Sequence, residues 1–159
     1  RVLFRSKKNL GDVEFRPDYL CKLAEKNPDP WLTNLVEVLE VRREKMKQQA
    51  ETSGAEPKAA YFQGLMSLAG TYFKCWNIIY DHLSALPNEA FADGKLDRCL
   101  VALEKAGNSG SREPTKLYEL YRQKGLTERA LKFRSQSEKD FSNYNLKEFF
   151  DRLDRSPNN

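Results

Sequence analysis

Four side chains carry what nucleophilic or metal chemistry this 159-residue chain offers: His82, Cys21, Cys75 and Cys99. His82 is the single histidine, and the nearest carboxylate in sequence is Asp81. With no Ser or Cys nucleophile signature beside it, it reads as a surface or internally satisfied histidine. The cysteines form no Cys-x-x-Cys pair, and no Glu-x-x-His pair or Gly-rich phosphate loop occurs. Metal, nucleotide and triad mechanisms therefore lose their usual support: no catalytic residue, metal or cofactor is expected, and no particular pair of carboxylates is selected for acid/base hydrolysis. Three cysteines permit at most one intramolecular disulfide. Cys75 lies as far before Pro87 as Cys99 lies after it. In an antiparallel hairpin the two come level, where a disulfide needs facing β-carbons within about 4.5 Å. Two buried free thiols suit the same positions.

Charge suggests a different kind of chemistry. The formal net charge is +4, from 27 Lys and Arg against 23 Asp and Glu, but the cations are clustered. Arg1, Arg5, Lys7 and Lys8 have no acid among them, and Arg122, Lys124, Arg129, Lys132 and Arg134 are diluted only by Glu128. Such clusters attract anionic lipids, glycans or nucleic acid through long-range fields, although a solvated face is the commoner meaning of any one cluster. Val2, Leu3 and Phe4 are interleaved with the first cluster, and Phe149 and Phe150 stand together in the tail. Apolar groups beside cations can adsorb to an anionic bilayer and insert at its interface. The alternative is that these aromatics complete the core.

The elements that must position these residues are helices. Pro17–Lys26 suits a first helix, with Tyr19, Leu20, Leu23 and Ala24 on its apolar side. Asn27-Pro28-Asp29-Pro30 is a break, with Asp29 placed to cap a second helix from near Trp31 to about Gln49. Leu32, Leu35, Val36, Leu39 and Met46 give it one buried face. Thr52-Ser53-Gly54 ends it. Pro57 opens a third helix running to Leu86, the longest expected. From Ala59 to Tyr80 its only charge is Lys74, so it must be covered on most sides, while Gln63, Gly64, Ser67, Gly70, Thr71, Lys74 and Asn77 argue against a constitutive membrane span. A fourth helix is expected between Asn88 and Ala106, with Ala92, Leu96, Cys99, Leu100 and Leu103 inward. Gly107–Ser111 then forms a flexible loop. A fifth helix starts at Pro114 with Leu117, Tyr118, Leu120 and Tyr121 inward and ends at Gly125, and Thr127 can cap a further short one.

With 40% apolar and 31% charged residues and no strand alternation, the fold class is all-α. The expected architecture is an antiparallel bundle of about five helices around a long central apolar helix. A single domain spans 1–159, with a basic N-terminal segment at 1–16 and a partly irregular tail at 135–159.

The run Lys58-Ala59-Ala60-Tyr61-Phe62, then Tyr72, Trp76-Asn77, Ile79, Leu83 and Ser84-Ala85-Leu86, resembles without gaps the central helix of the abalone sperm proteins, which comprise egg-coat lysin and its 18-kilodalton acrosomal paralogue. Phe15-Arg16-Pro17-Asp18-Tyr19-Leu20 is similar to the start of that family's first helix. About two thirds of the chain can be laid on the family, most convincingly at the central helix. Leu65 and Met66, where lysin carries arginines, together with the lower positive charge and the cysteines, favour the paralogue. The resemblance implies a protein secreted from the acrosomal vesicle of sperm, acting without catalysis in fertilisation by binding and fusing gamete membranes. Lysin-like dissolution of the egg vitelline envelope, by binding its glycoprotein, is the alternative within the family. The partner is thus an anionic membrane surface or an egg-coat glycoprotein, with self-association into a homodimer compatible and nucleic acid not expected.

The start at Arg1, with no initiator Met or apolar leader, is what signal-peptide removal or trimming would leave. A secreted four-helix cytokine and an intracellular scaffold that binds a partner helix suit the same composition.

Overall fold

The computed structural model describes residues 17–106, 113–140 and 145–156. Most of these are helical, and no strand occurs among them. Among the described residues eight α-helices follow in order: α1 Pro17–Lys26, α2 Leu32–Thr52, α3 Lys58–Ser67, α4 Gly70–Ala85, α5 Asp97–Ala106, α6 Glu113–Gln123, α7 Thr127–Asp140 and α8 Leu146–Arg155. Short 3-10 turns at Asp29–Trp31 and Asn88–Phe91 precede α2 and α5. Packing divides the chain into two units, one through Leu83 and one from Ser84.

In the first unit, α1 has the bounds expected of it, because Pro17 supplies a fixed φ where no donor is needed. It buries Leu20, Cys21 and Ala24. The Pro28–Trp31 segment closes with Trp31 N–H donating to the Pro28 carbonyl at 2.9 Å, and α2 begins only at Leu32. Asp29 makes no cap; its carboxylate instead lies 3.7 Å from His82 Nε2. The inward face of α2 is Leu35, Val36 and Leu39, and its end at Thr52 is three residues beyond the expected one. There the Ser53 hydroxyl donates to the Ala50 carbonyl at 2.9 Å, and Gly54 takes φ +71°, a left-handed turn suited to glycine.

The expected long central helix is two helices. The Leu68 N–H is shared between the Gly64 and Leu65 carbonyls at 3.3 Å each, and the Ala69 N–H turns back to Met66 at 3.3 Å. Shared and tightened bonds of this kind mark a helix end. Gly64 and Gly70 flank the break, and each is about 1 kcal/mol poorer than alanine inside a helix. The coverage of the two helices also differs from the expected one. Of α3 only Met66 is fully buried among the side chains described, while Lys58, Ala59, Ala60, Tyr61, Gln63 and Gly64 are exposed. The covered part is α4, where Tyr72, Cys75, Trp76, Ile79 and Leu83 recur on one face and are each buried. Trp76 also stacks on Tyr80, with ring centroids 5.1 Å apart.

In the second unit the expected helix over 88–106 is interrupted. Gly94 takes φ +73°, the Asp93 carboxylate accepts the Lys95 N–H at 3.1 Å, and the Asp97 N–H bonds the Gly94 carbonyl at 3.1 Å. This turn leaves Ala92 exposed rather than inward, while Cys99, Leu100 and Leu103 of α5 are buried. The end of α6 follows the expected glycine signal. Leu126 N–H bonds the Tyr121 carbonyl at 2.8 Å and Gly125 N–H the Arg122 carbonyl at 3.1 Å, with Gly125 at φ +72°. That pair of bonds is a Schellman cap. Leu117, Tyr118, Leu120 and Tyr121 of α6 are buried, and α6 packs on α5, α7 and α8. The tail is helical over 135–140 and 146–155; Phe141 and Tyr144, like the loop at 107–111, lie outside the described residues.

Candidate membrane or partner interface

The cations of the second expected cluster are dispersed by the fold. Arg122, in the last turn of α6, donates to the Leu153 carbonyl and lies 3.4 Å from Asp154 of α8. Lys124 donates to the main-chain carbonyls of Ser84 and Leu86 at 2.8 and 2.5 Å and stands over the Phe91 ring. Arg129 bonds Glu104 at 2.9 Å and Asp97 at 3.3 Å, with its guanidinium over the Tyr121 ring. Arg134 bonds Glu138 at 2.9 Å and Asp151 and Asp154 at 2.7 Å each, and covers the Phe150 ring at 5.4 Å. These carboxylates hold both guanidinium groups protonated more firmly than in an ordinary arginine, against the opposing effect of burial. Lys132 alone of the five remains exposed. The four engaged cations organise the second unit, so they do not form a free basic patch.

The tail pair separates in the same way. Phe150 is fully buried against Tyr118, at 4.8 Å between ring centroids, whereas Phe149 is 53% exposed beneath the Arg152 guanidinium. Phe150 is core, and Phe149 is the one of the two that faces outward. Arg1, Val2, Leu3, Phe4, Arg5, Lys7 and Lys8 lie outside the described residues.

The structure places an apolar surface where the sequence promised a buried helix. Lys58, Tyr61, Leu65 and Leu68 recur at spacings of three and four and so share one side of α3 and its C-cap. Lys58 and Tyr61 are exposed, Leu65 is half-buried, and Leu68 is 83% exposed at the turn between α3 and α4. On the other side α3 packs on α2, where Arg43 lies over the Phe62 ring at 5.7 Å. The sequence signal was present: a stretch without charge, containing two glycines and flanked by Lys58, is short of both the acids that solvate a helix and the bulk that buries one.

A groove of about 820 Å³ also opens in the second unit, lined by Leu100, Phe133, Asp97, Glu104, Arg129 and Lys132 among others. Its volume would admit a small molecule. However, Glu104 already accepts from the Tyr121 hydroxyl at 2.6 Å and from Arg129, and no histidine or cysteine lines the groove. Among the described residues no group of His, Cys, Asp and Glu has a metal-binding arrangement, and no helix is long and apolar enough to cross a membrane. No protein-family model, curated protein or solved structure matches this chain.

Proposed function

We propose that this protein works without catalysis, as a secreted sperm protein that adsorbs to the anionic surface of a gamete membrane and promotes fusion. The observation that carries the reading is the outward face of α3, with Leu68 at the tip of the α3–α4 turn and Tyr61 and Leu65 behind it. An exposed leucine at a turn, an interfacial tyrosine and a lysine at the helix start are what a shallow bilayer contact needs: charge brings the surface close, and apolar atoms then enter the headgroup region. The resemblance of 58–62 and 72–86 to the central helix of the abalone sperm proteins supports the biological setting. That resemblance now falls on two helices, α3 and α4.

The test uses vesicles of phosphatidylcholine with and without phosphatidylserine. Binding and lipid mixing should be stronger with the anionic lipid and weaken with salt, because the attraction is screened over about 10 Å at 0.1 M. Leu68→Glu and Leu65→Glu should abolish mixing while the helical signal and thermal unfolding are retained. Negligible binding to both vesicle types at low salt ends the fusion reading. Binding to isolated egg-envelope glycoprotein with no effect on vesicles would instead support a lysin-like role.

A further inference from the structure

We propose that Cys21 and Cys75 are the partners of a single intramolecular disulfide that staples α1 to α4, leaving Cys99 as a reduced thiol. The two sulfurs lie 3.2 Å apart, and both residues are fully buried. Polar contacts between the same two helices brace this position: the Thr71 hydroxyl donates to Asp18 at 2.9 Å, and Lys74 pairs with Glu25 at 2.7 Å. With the helices held so, closing to a bonded separation of about 2.05 Å requires an approach of about 1 Å, within the reach of small side-chain rotations. In the folded chain their mutual hydrogen bond distinguishes the two thiols. The hydrogen bond from Cys75 and then the Lys74 ammonium hold Cys21 below the ordinary thiol range, while donating to Cys21 and burial push Cys75 up.

The oxidant is a low-molecular-mass disulfide of the glutathione class. The thiolate of one of the two cysteines attacks one of its sulfurs, a mixed disulfide forms, and the first glutathione leaves as thiolate. The other cysteine then loses its proton and attacks the protein sulfur of that mixed disulfide, expelling the second. Two protein thiols and one small disulfide thus become one protein disulfide and two small thiols. Because burial shuts both sulfurs from solution, the exchange runs while the chain folds or opens, and the closed bond is sheltered from reductants afterwards.

The full chain should be refolded from denaturant in a buffer of reduced and oxidised glutathione, alkylated under denaturing conditions and mapped by mass spectrometry. The expected product has lost two hydrogens, yields a linked Cys21–Cys75 peptide, and carries the alkyl group on Cys99. Cys99→Ala should form the same link and unfold several degrees higher oxidised than reduced. Cys75→Ala should show no such shift. Three alkylated cysteines in the refolded chain, glutathione adducts without a link, or any link through Cys99 would overturn the assignment. These readouts do not involve lipid, so they stand or fall separately from the membrane reading.

Discussion

Arg134 of α7 and Asp151 of α8 face each other with a guanidinium nitrogen 2.7 Å from a carboxylate oxygen. The same guanidinium closes on Asp154, whose other oxygen accepts the Tyr118 hydroxyl of α6 at 2.7 Å. Three helices of the second unit are thus joined at one cation, and the Arg134 charge, with help from Lys147, holds the Asp151 carboxyl below the ordinary aspartate range. A carboxyl depressed by folding stabilises the fold above its unfolded-state value, about 4, and that contribution is lost as pH falls through the lower folded value. Thermal melts should therefore drop as pH is lowered below about 4. Asp151→Asn should flatten that decline while lowering the melting temperature at neutral pH; an unchanged acid profile would remove Asp151 from the account.

Trp76 is the test of the first unit's core. It is buried in the middle of the α4 stripe with Tyr72, Ile79 and Leu83, so Trp76→Ala should cost roughly 3–5 kcal/mol. That is a large part of a typical domain's stability. Denaturant unfolding reads the loss. Unchanged unfolding with abolished vesicle binding would instead make Trp76 a surface anchor, contrary to its burial.

The tail phenylalanines should respond oppositely to the same substitution. Phe150→Ala removes a ring packed on Tyr118 beneath Arg134, with an expected cost of about 3–5 kcal/mol. Phe149→Ala, at an exposed position, should stay within about 0.5 kcal/mol of the parent. Comparable losses at both sites would show that α8 is rotated from its described position.

Tyr72 offers the reverse case, a substitution expected to do no harm. Its hydroxyl is buried without a hydrogen-bond partner among the described residues, and burial pushes its ionisation up. Tyr72→Phe removes an unsatisfied polar atom while keeping the ring, so stability should hold or rise by up to about 1 kcal/mol. A clear loss in chemical denaturation would reveal a partner for the hydroxyl, such as an internal water.

What the sequence determined by itself was local. Pro17, the Ser53-Gly54 end of α2 and Gly125 placed helix boundaries closely, because a proline ring or a left-handed glycine acts on the residues beside it whatever the rest of the chain does. The buried stripes of α2, α4 and α6 were legible because their apolar spacing matches the helical turn. Tertiary packing decided the rest. Neighbours in a helix point about 100° apart, so Phe149 and Phe150 looked equivalent until α6 and α7 covered one of them. The basic run 122–134 looked like a patch until carboxylates distant in sequence, among them Glu104, Asp151 and Asp154, engaged three of its members. The uncharged stretch that holds Leu65 and Leu68 was expected to be covered on most sides because hydrophobicity records what a side chain would gain by burial and not whether another element covers it. Cys75 met Cys21 across 54 positions, a pairing that no local spacing encodes.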